Sequence, residues 1–478
     1  MFRNYLKIAF RSILKHKAFS LINIIGLSIG LSSAFVIGAM IYYDLTFDKF
    51  HEDGERIYRI TSDFYSPEGN FHNRGVAVPL ADYAKEDMTG LETASLFFTV
   101  YFPETENEVS GKTFRNVEDA ILADPSYFEL FDYEWLAGSP KSLSEPGQMV
   151  LTEERAAKYF PDEPLQEVIG KTLIYNDNLP VKITGIVADL NQRTDLYLKE
   201  FLSLKTVRNT PMEARYHIES WNSSNSDTQL FVKLASNATA ENIQEQLDRV
   251  AHEHADKEML ALGQKRSFHL QPLADIHFNA DYGIFKSSEH MGDRRVLAGL
   301  GLAALFLLVL GGINFINLNT AQATRRAKEI GIRKTLGSSK KQLVAQFLLE
   351  TLLLVLAAVL VSIVLASWLF RVFSDFMPED VGMGLLTTGP VLIAMLVLVV
   401  AITLLSGFYP ALVLSQFKPV SVLKNQVFSG SDKSALRKYL TVFQFVIAQI
   451  FIVATLVVGR QLHFLVSKDM GFKTEANA

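Results

Sequence analysis

Two sorts of cluster in this chain have residue types that could do chemistry. Gly-Lys-Thr occurs at Gly111–Thr113 and Gly170–Thr172. It is the end of the phosphate loop G-x-x-x-x-G-K-[ST], whose backbone N–H groups cradle phosphates. The loop's first glycine is replaced by Glu106 in one copy and Leu165 in the other, so neither is read as a nucleotide site. His51-Glu52 and His252-Glu253-His254 offer metal ligands. Neither completes H-E-x-x-H, and both are read as solvated surface histidines. No nucleophile elbow of the G-x-S-x-G kind is read in the chain. With no cysteine, disulfides, thiolate metal sites and cysteine nucleophiles are excluded. The expectation is a non-catalytic protein that binds no metal and no cofactor directly.

The most informative segment is Arg325–Lys341, RRAKEIGIRKTLGSSKK, which holds seven Lys and Arg against one Glu. Arg325, Glu329 and Arg333 recur every four residues, one stripe on a helix, with Glu329 placed to pair with Arg333. Ile332 and Leu336 give that helix an apolar edge. Gly337 suits a helix C-terminus, and Ser339 through Gln342 reads as a capping box opening the next helix. Two readings stand on the residues alone: a loop made basic to fix membrane orientation, or a short rigid helix that receives a push from a cytosolic partner.

Long elements must position this segment. Five runs without Asp, Glu, Lys or Arg stand out: Ala18–Tyr43, Val296–Thr324, Thr351–Phe370, Val381–Phe417 and Tyr439–Gly459. About 20 apolar helical residues cross a hydrocarbon core of roughly 30 Å, so each run can span a bilayer. Between the first two lies a polar block, Asp44–Arg295, with 25 basic and 43 acidic residues. The short segments 1–17, 325–341 and 418–438 are basic, whereas the 371–388 loop is acidic. Positive charge marks cytoplasmic segments, which predicts the N-terminus inside and the large block outside.

Finer signals fill this frame. Arg3, Lys7, Arg11 and Lys15 fall four apart, as on a basic amphipathic helix lying on the inner leaflet. In the outer block Arg56–Ile60, Leu96–Tyr101, Val181–Val187 and Leu230–Leu234 read as strands. Glu153–Tyr159 and Ala240–Ala255 read as helices, the second capped by Thr239. Asn314, Asn317 and Asn319 near the inner end of the second span are read as helix-packing groups. Glu350 opens the third span. Pro390 suits the first turn of the fourth, Gly407–Pro410 a break after it, and Ala411–Asn425 an inner-surface segment.

The stretch INLNTAQATRRAKEIGIRKTLGSSKKQLVAQFLLE, Ile316–Glu350, resembles the core of FtsX-like permease domains of the MacB type. Their motif R-x-x-E-I-G-I-R-K-x-L-G falls on Arg326–Gly337. GFYPALVLSQFKPVSVLK, Gly407–Lys424, is similar to the close of that domain. Val150–Phe160, Ile169–Leu173 and Val181–Leu190 resemble the MacB-like periplasmic core domain.

The resemblance implies an α-helical multispan membrane protein with five spans and a large extracytoplasmic mixed α/β domain inserted between spans one and two. Its parts would be a cytoplasmic amphipathic helix (1–17), a first span (18–43), and a MacB-like periplasmic core domain (44–295). An FtsX-like permease domain (296–425) would follow, with spans at 296–321, 347–370 and 389–409. A cytoplasmic linker (426–438), a fifth span (439–459) and an extracytoplasmic tail (460–478) would complete the chain. That tail looks like the start of a second half absent from this sequence. The protein would be a permease subunit of an ABC transporter in the bacterial inner membrane, exporting a substrate such as a peptide, drug or lipoprotein. ATP and Mg would enter only through a partner, a cytosolic ABC ATPase dimer. Further partners would be the lipid bilayer, a second permease half or a homodimer mate, and a periplasmic protein, but no nucleic acid.

The ATPase-coupling residues implied are Arg325, Arg326, Glu329, Ile330, Gly331, Arg333, Lys334, Leu336 and Gly337. Arg325, Arg326, Arg333 and Lys334 would meet acidic or polar groups of the ATPase. Glu329 would brace Arg333, and Ile330 and Leu336 would fill an apolar groove. Gly331 would allow close approach, and Gly337 would turn the chain into the third span. The competing reading is a membrane sensor whose outer domain binds a ligand or activates a cell-wall hydrolase.

Overall fold

The computed structural model describes residues 2–467 apart from Asp162, Asp177, Asn209, Arg326 and the segments 285–289, 379–380 and 416–431. Two compact units emerge: Asp44–Arg294, and Met1–Tyr43 together with Arg295–Ala478. Helices α1 (Phe2–Lys15) and α2 (Lys17–Leu45) open the chain. The inserted unit begins with β1 (Ile57–Ser66), β2 (Gly69–Asn73), α3 (Pro79–Glu86), β3 (Leu91–Asn107), β4 (Lys112–Ala123), α4 (Tyr127–Leu130) and β5 (Trp135–Ala137). Next come β6 (Gln148–Thr152), α5 (Glu153–Tyr159), α6 (Leu165–Val168), β7 (Thr172–Tyr175), β8 (Leu179–Val187) and β9 (Glu200–Ser203). It ends with α7 (Pro211–Tyr216), β10 (Thr228–Leu234), α8 (Ala240–Glu253), α9 (Lys257–Ala261) and β11 (Lys265–Pro272). The chain continues as α10 (Arg294–Arg325), α11 (Ala327–Thr335), α12 (Lys340–Val372), α13 (Gly389–Ser415) and α14 (Asp432–Ser467).

In the inserted unit the strands follow the order β11-β1-β10-β3-β4-β9-β6-β8-β5, with β2 on β1 and β7 bridging β3 and β8. Most pairs are antiparallel; β4–β9 and β6–β8 are parallel. The pairings β3–β4, β4–β9, β9–β6, β6–β8, β8–β7 and β7–β3 close a ring. The central strands are apolar on both faces, because both faces are covered. Leu96, Phe98, Leu122, Leu202 and Leu230 join one core with α3 and α8. Their neighbours Phe97, Ile121, Phe201 and Phe231 join a second core with Tyr127 and Phe128 of α4.

Local signals set the helix ends. The Thr239 hydroxyl accepts from the Asn242 N–H at the start of α8, and that of Thr152 accepts from the Arg155 N–H at α5. At one point of the ring Glu200, fully buried, accepts from the hydroxyls of Tyr159 and Tyr175 and pairs with Arg155 at 3.0 Å. A buried carboxylate is tolerated only when so completely partnered.

Among the described residues five helices are long and apolar enough to cross a bilayer: α2, the Arg294–Asn319 part of α10, α12, the Gly389–Phe408 part of α13, and the Lys438–Gln461 part of α14. Gly26 and Gly30 of α2 face α10. A Cβ on Gly30 would meet the Leu307 carbonyl oxygen at 2.8 Å, and one on Gly26 would meet Asn314 Nδ2 at 3.1 Å. Without a hydrophobic force between helices in lipid, such small-residue approach is how they associate. These glycines also form a G-x-S-x-G spacing, Gly26–Gly30, which the sequence reading passed over. It is no nucleophile elbow: Ser28 is buried inside α2 and donates to the Ile25 carbonyl at 2.9 Å. Asn317 reaches Thr441 of α14 at 3.5 Å, so this amide packs helices.

The expected break at Gly407–Pro410 is absent; α13 stays helical to Ser415. Gly407 sits against Leu348 and Thr351 of α12, where the absence of a side chain allows the close approach. The rest of the segment expected on the inner surface, with Lys418 and Lys424, and the linker 426–431 lie outside the described residues.

Candidate coupling site

Helix α11 is fastened at its C-terminal end and along one face. Its end closes as a Schellman motif: Ser338 N–H donates to the Arg333 carbonyl at 3.0 Å, and Gly337 N–H to that of Lys334 at 3.1 Å. Gly337 adopts φ +97°, where any side chain is strained. Two residues on, Ser339 and Gln342 exchange capping-box bonds of 2.9 and 3.3 Å to start α12. Glu329 bonds Arg333 at 2.6 Å, and the other arm of Arg333 bonds Gln346 of α12 at 3.0 Å.

The implied site residues divide between two duties. Leu336 is 82% exposed and Ile332 44%, a free apolar edge. Ile330, expected in a partner's groove, is instead buried against Leu343 and Phe347 of α12. It anchors the helix from below, and Ile332 takes the outward place. Gly331 is buried beside it. Partial burial, then the nearby Lys340 charge, lowers the Lys334 ammonium. Arg325 closes α10, and Arg326 lies outside the described residues.

Helix α1 completes the site, a placement the sequence did not show. It packs on α12, where Ser12 donates to Glu350 at 2.7 Å. Between α1, α11 and α12 lies a cleft of about 230 Å³, lined by Ile8, Arg11, Ser12, Lys15 and His16 of the N-terminal segment. Glu329, Ile330, Arg333, Gln346, Phe347 and Glu350 line its other side. The sequence signal was present: the Arg11 and Lys15 stripe, and a glutamate just where an apolar run begins.

The inserted unit holds a second cluster that sequence reading missed. His277, only 1% exposed, lies 3.1 Å from Asp195 and 3.5 Å from Asp44, and Phe47 stacks on its ring at 3.7 Å. His290 reaches the same Asp44 at 3.1 Å. The two ends of the unit, near Asp44 and near Arg294, are thereby tied together; Gly292 N–H also donates to the His277 carbonyl at 3.0 Å. Burial works against a charged His277, but Asp195 and Asp44 outweigh it and push it up to about 9. Burial raises Asp48 to about 7, with the Asp195 charge adding to it.

The other chemical candidates resolve plainly. His51 is not solvated: it is 5% exposed, beside Phe50 and Phe131, and burial lowers it to about 4. His254 stacks on Trp221 at 3.7 Å. Gly111 and Gly170 sit at turns leading into strands, not at a helix start. Among the described residues no three His, Asp or Glu side chains gather as a metal site.

Residues 20–250 match the family model described as the MacB-like periplasmic core domain, and residues 301–419 that of the FtsX-like permease C-terminal. The macrolide export ATP-binding/permease protein MacB of Campylobacter jejuni is 22% identical over 430 residues, covering 88% of this chain and 61% of that protein. The chain thus spans about three-fifths of the length of that relative. The ABC transporter permease YvrN of Bacillus subtilis is 23% identical over 441 residues, covering 88% of this chain and 99% of its own. Among solved structures, a permease domain from Porphyromonas gingivalis aligns with TM-score 0.40 and 21% identity over 46% of this chain and 91% of that one. The periplasmic region of MacB from Actinobacillus actinomycetemcomitans gives TM-score 0.33 and 15% identity, over 46% and 90%.

Proposed function

This chain belongs to the ABC transporter permeases that join a MacB-like periplasmic core domain to an FtsX-like permease domain, and on that premise we propose that it couples a separate cytosolic ATPase to movement of its inserted unit. The observation that carries this reading is α11. It is a basic helix between two spans, closed by a Schellman motif and followed at once by a capping box. It is anchored by Ile330, and it presents Leu336 to solvent. A helix so held passes a push on rather than absorbing it. In this reading α1 and α11 face the cytosol, where the basic segments belong, and the acidic inserted unit is periplasmic. ATP and Mg bind in the partner, whose closure moves the spans and, through them, the periplasmic unit. A second permease half or a homodimer mate supplies the second coupling helix. The substrate, a peptide, drug or lipoprotein, is extruded by the motion of the periplasmic unit rather than through a pore.

The test is capture of an ATPase by the detergent-solubilised protein. Leu336 is the residue to change, because Arg333 is already bonded inside the chain. Burying a Leu at an interface contributes about 1.5–3 kcal/mol, so Leu336→Asp should cut capture about tenfold or more while leaving folding intact. Capture of an ATPase that is indifferent to Leu336→Asp would remove the coupling assignment. Capture of a kinase in its place would support the sensor reading.

A further inference from the structure

We propose that the cleft between α1, α11 and α12 is a binding site for the phosphate of an anionic phospholipid headgroup. The argument begins with what the cleft has left to bond. Its carboxylates are engaged: Glu329 with Arg333, and Glu350 with Ser12. Arg333 is engaged at both arms, and its contact with Gln346 occupies that side chain's oxygen. What remains at the mouth is donors. Arg11 and Lys15 are exposed and make no ion pair with any described residue, and the Gln346 Nε2 amide has no acceptor among them. A guanidinium, an ammonium and an amide call for a ligand rich in acceptor oxygens, and charge-assisted bonds to phosphate are the strongest such contacts.

Depth in the membrane then selects the source of that phosphate. Glu350, in the cleft, directly precedes the charge-free run that starts at Thr351; Lys15 and His16 are separated only by Lys17 from the one that starts at Ala18. The cleft therefore lies at headgroup level, where polar and apolar sequence meet on two spans. On α1, Phe10 is 62% and Leu14 49% exposed, each next in sequence to a lining cation. Apolar side chains so placed enter the acyl boundary of a leaflet. The apolar part of the cleft's lining, Ile8, Ile330 and Phe347, would meet the start of a lipid's glycerol and chains. A lipid held there bridges α1 to α11, independently of any ATPase.

The full-length protein, purified in nonionic detergent, is titrated with dioctanoyl phosphatidylglycerol and followed by native mass spectrometry. Parallel titrations use dioctanoyl phosphatidylcholine, dioctanoylglycerol and inorganic phosphate. The expected order is phosphatidylglycerol first, phosphatidylcholine weaker, and dioctanoylglycerol without binding. Arg11→Gln and Gln346→Glu should each weaken phosphatidylglycerol about tenfold, the loss of one charge-assisted bond. Lys7→Gln is the control, since Lys7 belongs to the same basic stripe but does not line the cleft. Equal weakening by Lys7→Gln would make the helix a diffuse basic surface and overturn the assignment. Binding of inorganic phosphate as tight as that of the lipid would overturn the lipid as its source. Circular dichroism and gel filtration of each variant confirm that a loss is not misfolding.

Discussion

The cleft beside α11 and the cluster around His277 are both built from opposite charges, yet they use them in opposite ways. In the first, Arg333 and Glu329 keep 32% and 47% of their side-chain surface, and Arg11 and Lys15 stay unpaired. In the second, His277 and Asp195 keep only 2% each and Asp44 6%. An exposed ion pair holds little energy and can exchange partners. A buried one is costly to break, because the survivor is left charged and dry. The first arrangement suits a surface that must bind something else, the second a joint that must not yield.

The sharpest way to break this contrast is to remove the pin. His277→Ala leaves Asp195 without its side-chain partner, while Asp44 keeps His290, and should destabilise the inserted unit by about 3–5 kcal/mol, the usual cost of orphaning a buried charge. Thermal unfolding of the full-length protein in detergent, followed by near-ultraviolet dichroism, checks it. A melt unchanged from wild type would mean that the joint is held by packing alone.

Acidity tests the same joint more gently. His277 titrates near 9 when folded against 6.5 as a free side chain, so its stabilisation is complete below about 6.5 and lost as pH rises through 9. The full shift corresponds to about 3 kcal/mol as an order of magnitude. Asp48, raised to about 7, loses its contribution as pH rises from about 4 to 7. His51, lowered to about 4, gains over much of that range. The two oppose each other below neutrality, which leaves a fall in stability between pH 7 and 9 that belongs to His277. Melts recorded across that interval should decline for wild type and stay level for His277→Gln. A parallel decline in the variant would assign the effect elsewhere.

The sequence was informative where a pattern is local. The spans showed as charge-free runs, Glu153–Tyr159 by its residues, Thr239 as a cap, and the end of α11 by Gly337 and Ser339. These depend on neighbours within a few positions. The joint could not be read, because Asp44, Asp195 and His277 are brought together only in the folded unit, across separations no periodicity records. The same limit explains Ile330 and Ile332. Both are apolar residues of one short helix, and only the position of α12 decides which is buried. His51 looked solvated because a histidine beside glutamate and aspartate reads as polar surface, and the aromatic residues that bury it include the distant Phe131. Gly30 was passed over because a glycine's value in a span depends on the helix facing it.

The smallest expected effect is the most discriminating for the proposed coupling face. Glu329→Gln removes an exposed i,i+4 pair worth about 0.3–0.5 kcal/mol, so the melting temperature should hardly move. Arg333 keeps its bond to Gln346 and its charge. If α11 works by orientation, losing the brace should still lower ATPase capture, because Arg333 would then sample positions unsuited to a partner. If it works by charge alone, capture should rise, since one negative group has left a basic surface. The two mechanisms thus predict opposite signs from one conservative substitution. No comparable separation exists at the buried joint, where any change large enough to see also unpairs a charge.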